Sequence, residues 1–223
     1  VTTDHLDRYR TAAAYQSAKR RMLLHLRPGG SLVFNRADPV SRAWTVPPEI
    51  RRVGYGEDQP APGGLGLRDG RLVSALSDPA GEPILPLDAL PLLGAFQAQN
   101  ALAAAGAACL LGASAAAAGR ALAHFQGLEH RLRRIGRIGA VQVLDNGVST
   151  VPETTLGALD ALERPAHVVI GGKSKGADLA AFARELCLRA SSIHLFGLAG
   201  PALAAELAGL PARPAFTLSA RPE

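Results

Sequence analysis

Lys19, Lys173 and Lys175 are the three lysines of a 223-residue chain that otherwise draws its positive charge from 21 arginines. Either residue serves a solvated surface, but only the amine sheds its proton and becomes a nucleophile or a modified ligand. Lysines kept in an arginine-rich chain therefore invite a chemical explanation. Lys19 follows Ala14-Tyr15-Gln16-Ser17-Ala18, which opens a helix, and Asp4-His5-Leu6-Asp7-Arg8-Tyr9 lies just upstream. A histidine between two carboxylates is by itself an ordinary surface feature; alongside Lys19, His5 gains interest as a functional residue.

The other two lysines stand in Ile170-Gly171-Gly172-Lys173-Ser174-Lys175-Gly176-Ala177-Asp178. Gly172-Lys173-Ser174 resembles the tail of a phosphate-binding P-loop, but that motif needs a glycine where His167 stands, so a P-loop is not expected here. What remains is a glycine-rich strand-to-helix turn. Glycines let the backbone approach an anion and Lys175 supplies a point charge; a plain solvated turn also fits. Asn100 lies in a run of small apolar residues, Ala95 to Ala105, with helical character. Asparagine is a poor residue in mid-helix because it competes for backbone hydrogen bonds. An amide that donates and accepts at once suits a purine edge, and a helix-start cap is the equal alternative.

Composition bounds what these residues can belong to. With 48% hydrophobic residues the chain holds enough apolar surface for one large or two small cores. No apolar run is long enough to span a bilayer, so no membrane insertion is expected and a cytoplasmic location is. The net charge of +5 comes from scattered arginines with little aromatic interleaving, which argues for solubility and anionic small ligands rather than nucleic acid. Cys109 and Cys187 stand singly in apolar helical stretches without partners at metal spacing and read as buried thiols.

Elements follow from periodicity and punctuation. A helix is expected over 11–26, stopped by Arg27-Pro28-Gly29-Gly30, then a strand over 31–35 and a turn at 36–39. The Pro- and Gly-rich text from Trp44 to Pro91 suits short antiparallel strands and long loops, and helices follow over 95–111 and 114–125. Beyond Gly127-Leu128-Glu129-His130-Arg131 the pattern alternates: strands over 141–144, 167–170 and 193–196, helices over 152–162, 179–188 and 201–208. Such alternation predicts an α/β fold with a parallel sheet. A domain boundary is expected near 127–131, giving domains over 1–128 and 129–223. Ligands of parallel sheets gather past the carboxyl ends of the strands, which directs attention to 145–152, 171–178 and 197–200. The first residues read as the middle of a strand-to-loop passage and the last without a closing element, so the chain is expected to be a piece of a longer one.

Taken together, and in order, the motifs resemble the glutamate-adding members of the Mur ligase family of peptidoglycan synthesis. The residues that carry the resemblance are Asp4-His5-Leu6-Asp7-Arg8-Tyr9, Ala18-Lys19, Asn35-Arg36-Ala37-Asp38, Gln99-Asn100-Ala101-Leu102, Gly127-Leu128-Glu129-His130-Arg131, Pro152-Glu153-Thr154-Thr155, Gly171-Gly172, Lys175-Gly176-Ala177-Asp178 and Phe196-Gly197. The resemblance implies the later part of a central ATP-binding Mur ligase domain over 1–128, followed by a truncated Rossmann-like glutamate-binding domain over 129–223. The P-loop and the UDP-sugar domain would then lie upstream, and the fragment alone would not turn over.

Carried over residue by residue, the resemblance makes Lys19 a carbamate formed with carbon dioxide, which converts a cation into an oxygen ligand for Mg2+, and makes His5 its companion ligand. Asn100 would contact the adenine of ATP, Arg131 would reach the nucleotide from the hinge with Asn146 beside it, and Thr150 and Lys175 would hold the carboxylates of glutamate. The implied partners are UDP-N-acetylmuramoyl-L-alanine and glutamate, D-glutamate first, handled by a monomer. ATP would phosphorylate the alanyl carboxylate, the glutamate amine would attack the acyl phosphate, and phosphate would leave.

One tract departs from the family. Where its members read Asn-Asp-Ser-Lys-Ala-Thr-Asn-Pro, this chain reads Asp145-Asn146-Gly147-Val148-Ser149-Thr150-Val151-Pro152. Losing the amine at Val148 removes a carboxylate partner, worth about 1.5 to 3 kcal/mol for a hydrogen bond to a charged group. A related class that adds L-glutamate lacks the same lysine and carries a Ser-Thr-Thr-Pro tract, which Ser149-Thr150-Val151-Pro152 resembles in part. A ligase-like binding module without turnover is the non-enzymatic alternative.

Overall fold

The computed structural model describes residues 6–162, 166–174 and 176–219. The chain divides into two compact units that meet in sequence between Gly127 and Leu128. The structure begins with a single turn, α1 (Leu6–Tyr9).

In the first unit, α2 (Ala12–Arg20) starts where the Thr11 hydroxyl accepts the Ala14 amide proton at 3.1 Å, a helix N-cap. The helix is shorter than its periodicity predicts. Arg21–His25 tightens into a 3-10 turn and Leu26 is extended, because no residue of 12–25 is buried and Pro28 forbids continuation. Then come β1 (Ser31–Asn35), α3 (Pro39–Arg42), β2 (Arg51–Tyr55), β3 (Leu65–Arg68), β4 (Arg71–Ser74), β5 (Glu82–Pro86), α4 (Phe96–Leu110) and α5 (Ala115–His124).

The five strands form one sheet in sequence order. β1, β2 and β3 run parallel, whereas β3–β4 and β4–β5 are antiparallel. The antiparallel reading of 44–91 therefore holds for its second half and fails for β2, which α3 returns in the same direction as β1. Val53, Leu65, Leu72, Leu102 and Ala105 lead the core between this sheet and the two helices. Small residues set the approach of the helices: a Cβ on Gly106 would lie 2.8 Å from the Leu65 side chain, and one on Gly119 would lie 1.8 Å from the Ile84 carbonyl oxygen. Cys109 is half-buried at the rim of this core, where burial and then the Glu82 carboxylate push its thiol up.

The second unit opens with an antiparallel hairpin, β6 (Arg133–Ile138) and β7 (Val141–Asp145). It continues through α6 (Pro152–Asp160), β8 (Ala166–Ile170), α7 (Leu179–Arg189), β9 (Ala190–Leu195), α8 (Gly200–Ala208) and β10 (Ala215–Leu218). β10, β9 and β8 form a parallel sheet, with Phe182, Leu186, Ile193, Leu203 and Leu207 in its core. One expectation needs correction: the strand over 141–144 pairs with β6 instead of joining the parallel sheet. No helix among the described residues is long and apolar enough to cross a membrane.

Candidate functional site

The parallel pair β1 and β2 brings two strand carboxyl ends to one edge of the sheet, with register Asn35 opposite Tyr55. A polarised relay of side chains crosses this edge. Asn35 Nδ2 donates to Gln99 Oε1 at 2.7 Å, and Gln99 Nε2 donates to Glu57 Oε1 at 2.7 Å. Asn35 Oδ1 accepts the Ala37 amide proton at 2.8 Å. A carboxylate only accepts, so Glu57 fixes which end of the Gln99 amide faces it, and that in turn fixes Asn35. The relay ties the first turn of α4 to both strand ends.

Arg36 secures the loop that carries Glu57. Its guanidinium pairs with the Asp58 carboxylate and donates to the Gln59 carbonyl at 3.0 Å, and the Asp58 carboxyl is held below its usual range first by this hydrogen bond. The arginine lies across glycines: a Cβ on Gly54 would meet its Cγ at 2.8 Å, and one on Gly56 would meet its Nη2 at 3.2 Å. Beside it, Asp38 caps α3, accepting the Ser41 amide at 2.9 Å. Burial, and then the charge of Asp38, pushes the Tyr55 phenol up.

Asn100 is an exposed residue in the first turns of α4, and its Nδ2 donates to the buried Gln97 Oε1 at 3.0 Å. One amide proton is spent on Gln97. The other, and Oδ1, are left to make the acceptor-and-donor pair a purine edge requires. The helix cap is no part of this residue's role, since Ala95 occupies the N-cap position. Lys19 is exposed in the last turn of α2, its Nζ 5.3 Å from the centre of the Tyr15 ring, a cation–π arrangement.

In the second unit the segment 130–132 is stitched to the loop after β7. His130 Nδ1 lies 2.6 Å from Asp145 Oδ2, the His130 carbonyl accepts the Val148 amide at 3.0 Å, and Leu132 donates its amide to Asn146 Oδ1 at 3.1 Å. Asp145 Oδ1 accepts the Gly147 amide at 2.9 Å. That bond first, and then His130, holds the Asp145 carboxyl below the usual range. His130 and Leu132 adopt left-handed backbone, with φ of 59° and 47°. Arg131 stands between them with its side chain exposed. Arg131 and Asn146 are therefore brought to neighbouring positions.

Thr150 is exposed just ahead of α6, next to a hydroxyl cluster that sequence reasoning missed: Ser149 Oγ meets Thr154 Oγ1 at 2.5 Å and Thr155 Oγ1 at 3.0 Å. The runs Ser149-Thr150 and Thr154-Thr155 one turn apart were the available signal. Gln99 and Glu57 were missed as well, because nothing in sequence joins residues 42 apart. His5 and Lys175 lie outside the described residues.

With this geometry in place, the chain can be set beside known proteins. Residues 1–108 match the Mur ligase middle domain. Over 197 residues, covering 88% of this chain and 43% of the relative, the chain is 30% identical to the UDP-N-acetylmuramoylalanine--D-glutamate ligase of Pelotomaculum thermopropionicum. The chain is thus similar to Mur ligases over most of its length. A similar relative, named for the same activity, comes from Solibacter usitatus, 32% identical over 94% of this chain and 46% of its own length. The chain thus spans less than half the length of the curated relatives it matches.

Among solved structures, MurF from Acinetobacter baumannii superposes with a TM-score of 0.72 at 20% identity, covering 97% of this chain and 49% of that one. MurF from Thermotoga maritima in complex with ADP gives 0.66 at 15% identity, over 98% of this chain and 56% of that one. At these identities the likeness is one of fold, and it is the expected α/β Mur ligase fold with parallel sheets.

Proposed function

We propose that this chain is part of a Mur ligase and forms the later part of an ATP-binding domain and part of a glutamate-binding domain, over 1–128 and 129–223. The enzyme containing it joins D-glutamate to UDP-N-acetylmuramoyl-L-alanine. The observation that carries the reading is similarity at 30% identity, over most of this chain, to a relative named for that ligation.

The chemistry is a two-step acyl transfer. An oxygen of the alanyl carboxylate attacks the γ-phosphorus of ATP, the bond to the bridging oxygen breaks, and ADP departs. The amine of glutamate then adds to the acyl phosphate carbonyl, loses a proton, and phosphate leaves with the electron pair of the broken C–O bond. Catalysis of this kind rests on positioning and on charge stabilisation around the phosphoryl group.

The chain's own residues divide that work. Asn100 presents an amide proton and Oδ1 to adenine. Arg131 offers a guanidinium to ribose or phosphate oxygens. Asn146 already spends Oδ1 on the Leu132 amide, so its Nδ2 is the group turned to a nucleotide acceptor. Thr150 and Lys175 take the glutamate carboxylates. No three His, Cys, Asp or Glu side chains converge on a cation position among the described residues. An ammonium has no lone pair to give a cation, so Lys19 would hold magnesium only as its carbamate, with His5 as companion; the metal, when bound, would offset charge on the phosphoryl oxygens.

The L-glutamate-adding class is the second reading, favoured by one observation: Val148 carries no amine and the neighbouring surface is a Ser149, Thr154 and Thr155 hydroxyl cluster. Phosphate release by the full-length enzyme, with UDP-N-acetylmuramoyl-L-alanine and each glutamate enantiomer offered separately, decides between them. Turnover with D-glutamate alone supports the first reading, turnover with L-glutamate alone the second, and none with either sinks both.

A further inference from the structure

The relay at the sheet edge has a direction, and that direction is its most informative property. Gln99 is adjacent in sequence to Asn100 and is the side chain by which the first turns of α4 are tied to the ends of β1 and β2, through Asn35 at 2.7 Å and Glu57 at 2.7 Å. Gln99 itself is only partly buried and Glu57 is exposed, so the relay adds little to the core. Glu57 is held by the Arg36 grip on Asp58 and Gln59. Leu102, fully buried, and Ala98, Ala101 and Ala105, each at most 2% exposed, supply the apolar packing of α4. That packing is non-directional and its one large side chain, Leu102, lies in the second turn, whereas two directional bonds at 2.7 Å tie down the first.

We propose that Gln99 is a positioning residue for nucleotide recognition: its amide, oriented by the Glu57 carboxylate and received by Asn35, sets where the Asn100 amide meets the purine. The inference rests on the reading of Asn100 as the adenine contact. Gln97 holds the Asn100 amide in its rotation, and Gln99 holds the backbone from which that amide projects. A displacement of about 1 Å is enough to cost a hundredfold in rate or binding when directional contacts are involved. Loss of Gln99 therefore acts on discrimination between adenine and a purine with an oxygen in place of the amino group.

Polarity makes the test sharp. Gln99→Glu sets a carboxylate against Glu57 and breaks the relay by repulsion. Adding Glu57→Gln restores it with the charges exchanged, since Glu at 99 accepts from the new amide and still accepts from Asn35. The measurement is KM and kcat of the full-length enzyme for ATP and for inosine triphosphate, with the thermal midpoint of each variant recorded.

Gln99→Leu is expected to raise KM for ATP about tenfold, to lower the ATP-over-ITP preference by a similar factor, and to shift the thermal midpoint by no more than a few degrees. Gln99→Glu is expected to be at least as impaired, and the Gln99→Glu/Glu57→Gln double variant to return to within about threefold of the wild type. If Gln99→Leu leaves both KM and the nucleotide preference unchanged, or the double variant stays as impaired as Gln99→Glu, the proposal is overturned. Asn100→Leu separates the two levels. If it leaves the ATP-over-ITP preference intact, the reading of Asn100 is wrong. If it abolishes that preference while the Gln99 variants are silent, only the role of Gln99 falls.

Discussion

His130 Nδ1 lies 2.6 Å from Asp145 Oδ2, which places the imidazole before Arg131 against the last residue of β7. Since the carboxylate only accepts, Nδ1 carries the proton. In the family pattern the tract starting there bears amide then carboxylate; here Asp145 and Asn146 reverse the order, and each has a partner on the 130–132 segment.

The Asp145 carboxyl is depressed, first by the Gly147 amide and then by His130, so its contribution has a defined pH window. A depressed acid stabilises the fold fully above its ordinary value of 3.8 and loses that contribution as pH falls through the lower folded value. The difference in thermal midpoint between wild type and Asp145→Asn is expected to be constant at neutral pH and to vanish in strong acid. A difference that grows as pH falls contradicts this.

Gly119 sits where α5 crosses β5, and a Cβ there would lie 1.8 Å from the Ile84 carbonyl oxygen. Backbone cannot swing aside as a side chain can, so Gly119→Ala is expected to destabilise the protein by about 3 kcal/mol or more. Gly106→Ala, whose new methyl would meet only the Leu65 side chain, is expected to cost less, about 1 to 2 kcal/mol. Urea unfolding of the two variants ranks them.

Much of this architecture was legible in the residues. The strand at 31–35, the helix pair 95–111 and 114–125, and the alternation after residue 166 carried periodicity that packing then honoured. β6 was not legible: Arg133-Arg134-Ile135-Gly136-Arg137-Ile138 is exposed at every position, so no buried face imposed a period of two on it. The parallel course of β2 was equally hidden, because direction is decided by α3 and the turn after it rather than by the strand's own residues. Of the candidate site, single residues were visible through their chemistry. The Gln99 relay was not, since it exists only once α4 is laid across the strand ends.

Lys19 is read as a carbamate, which a guanidinium cannot form. Lys19→Arg, keeping charge and length, is expected to lower kcat of the full-length enzyme by about a hundredfold or more with the thermal midpoint unchanged. Carbon-13 NMR after equilibration with labelled bicarbonate is expected to show a carbamate signal in the wild type that the variant lacks. A fully active arginine variant contradicts the role.

Val148 is 44% exposed in the loop after β7, and its backbone amide is already taken by the His130 carbonyl. Val148→Lys therefore adds an amine without disturbing the loop's own bonds. It is expected to lower KM for glutamate by about ten- to a hundredfold, the scale of one hydrogen bond to a charged group. Unchanged glutamate kinetics place the carboxylate elsewhere.

The two cores share no residue, and Leu186 is fully buried in the second. Leu186→Ala is expected to cost about 2 to 5 kcal/mol. Hydrogen exchange is expected to report the loss in 166–218 while the slow amides of β2 to β4 keep their protection. Uniform acceleration across both groups would mean the two units unfold as one.

The left-handed backbone on both sides of Arg131 limits how this stretch can change length. Each such residue is reached at a cost of about 1 to 2 kcal/mol, and His130 and Leu132 are kept there by bonds to particular partners in one register. Inserting or deleting a single residue slides those partners out of step and drops the strained positions onto amides with nothing to receive them. The approach to Arg131 therefore keeps its length.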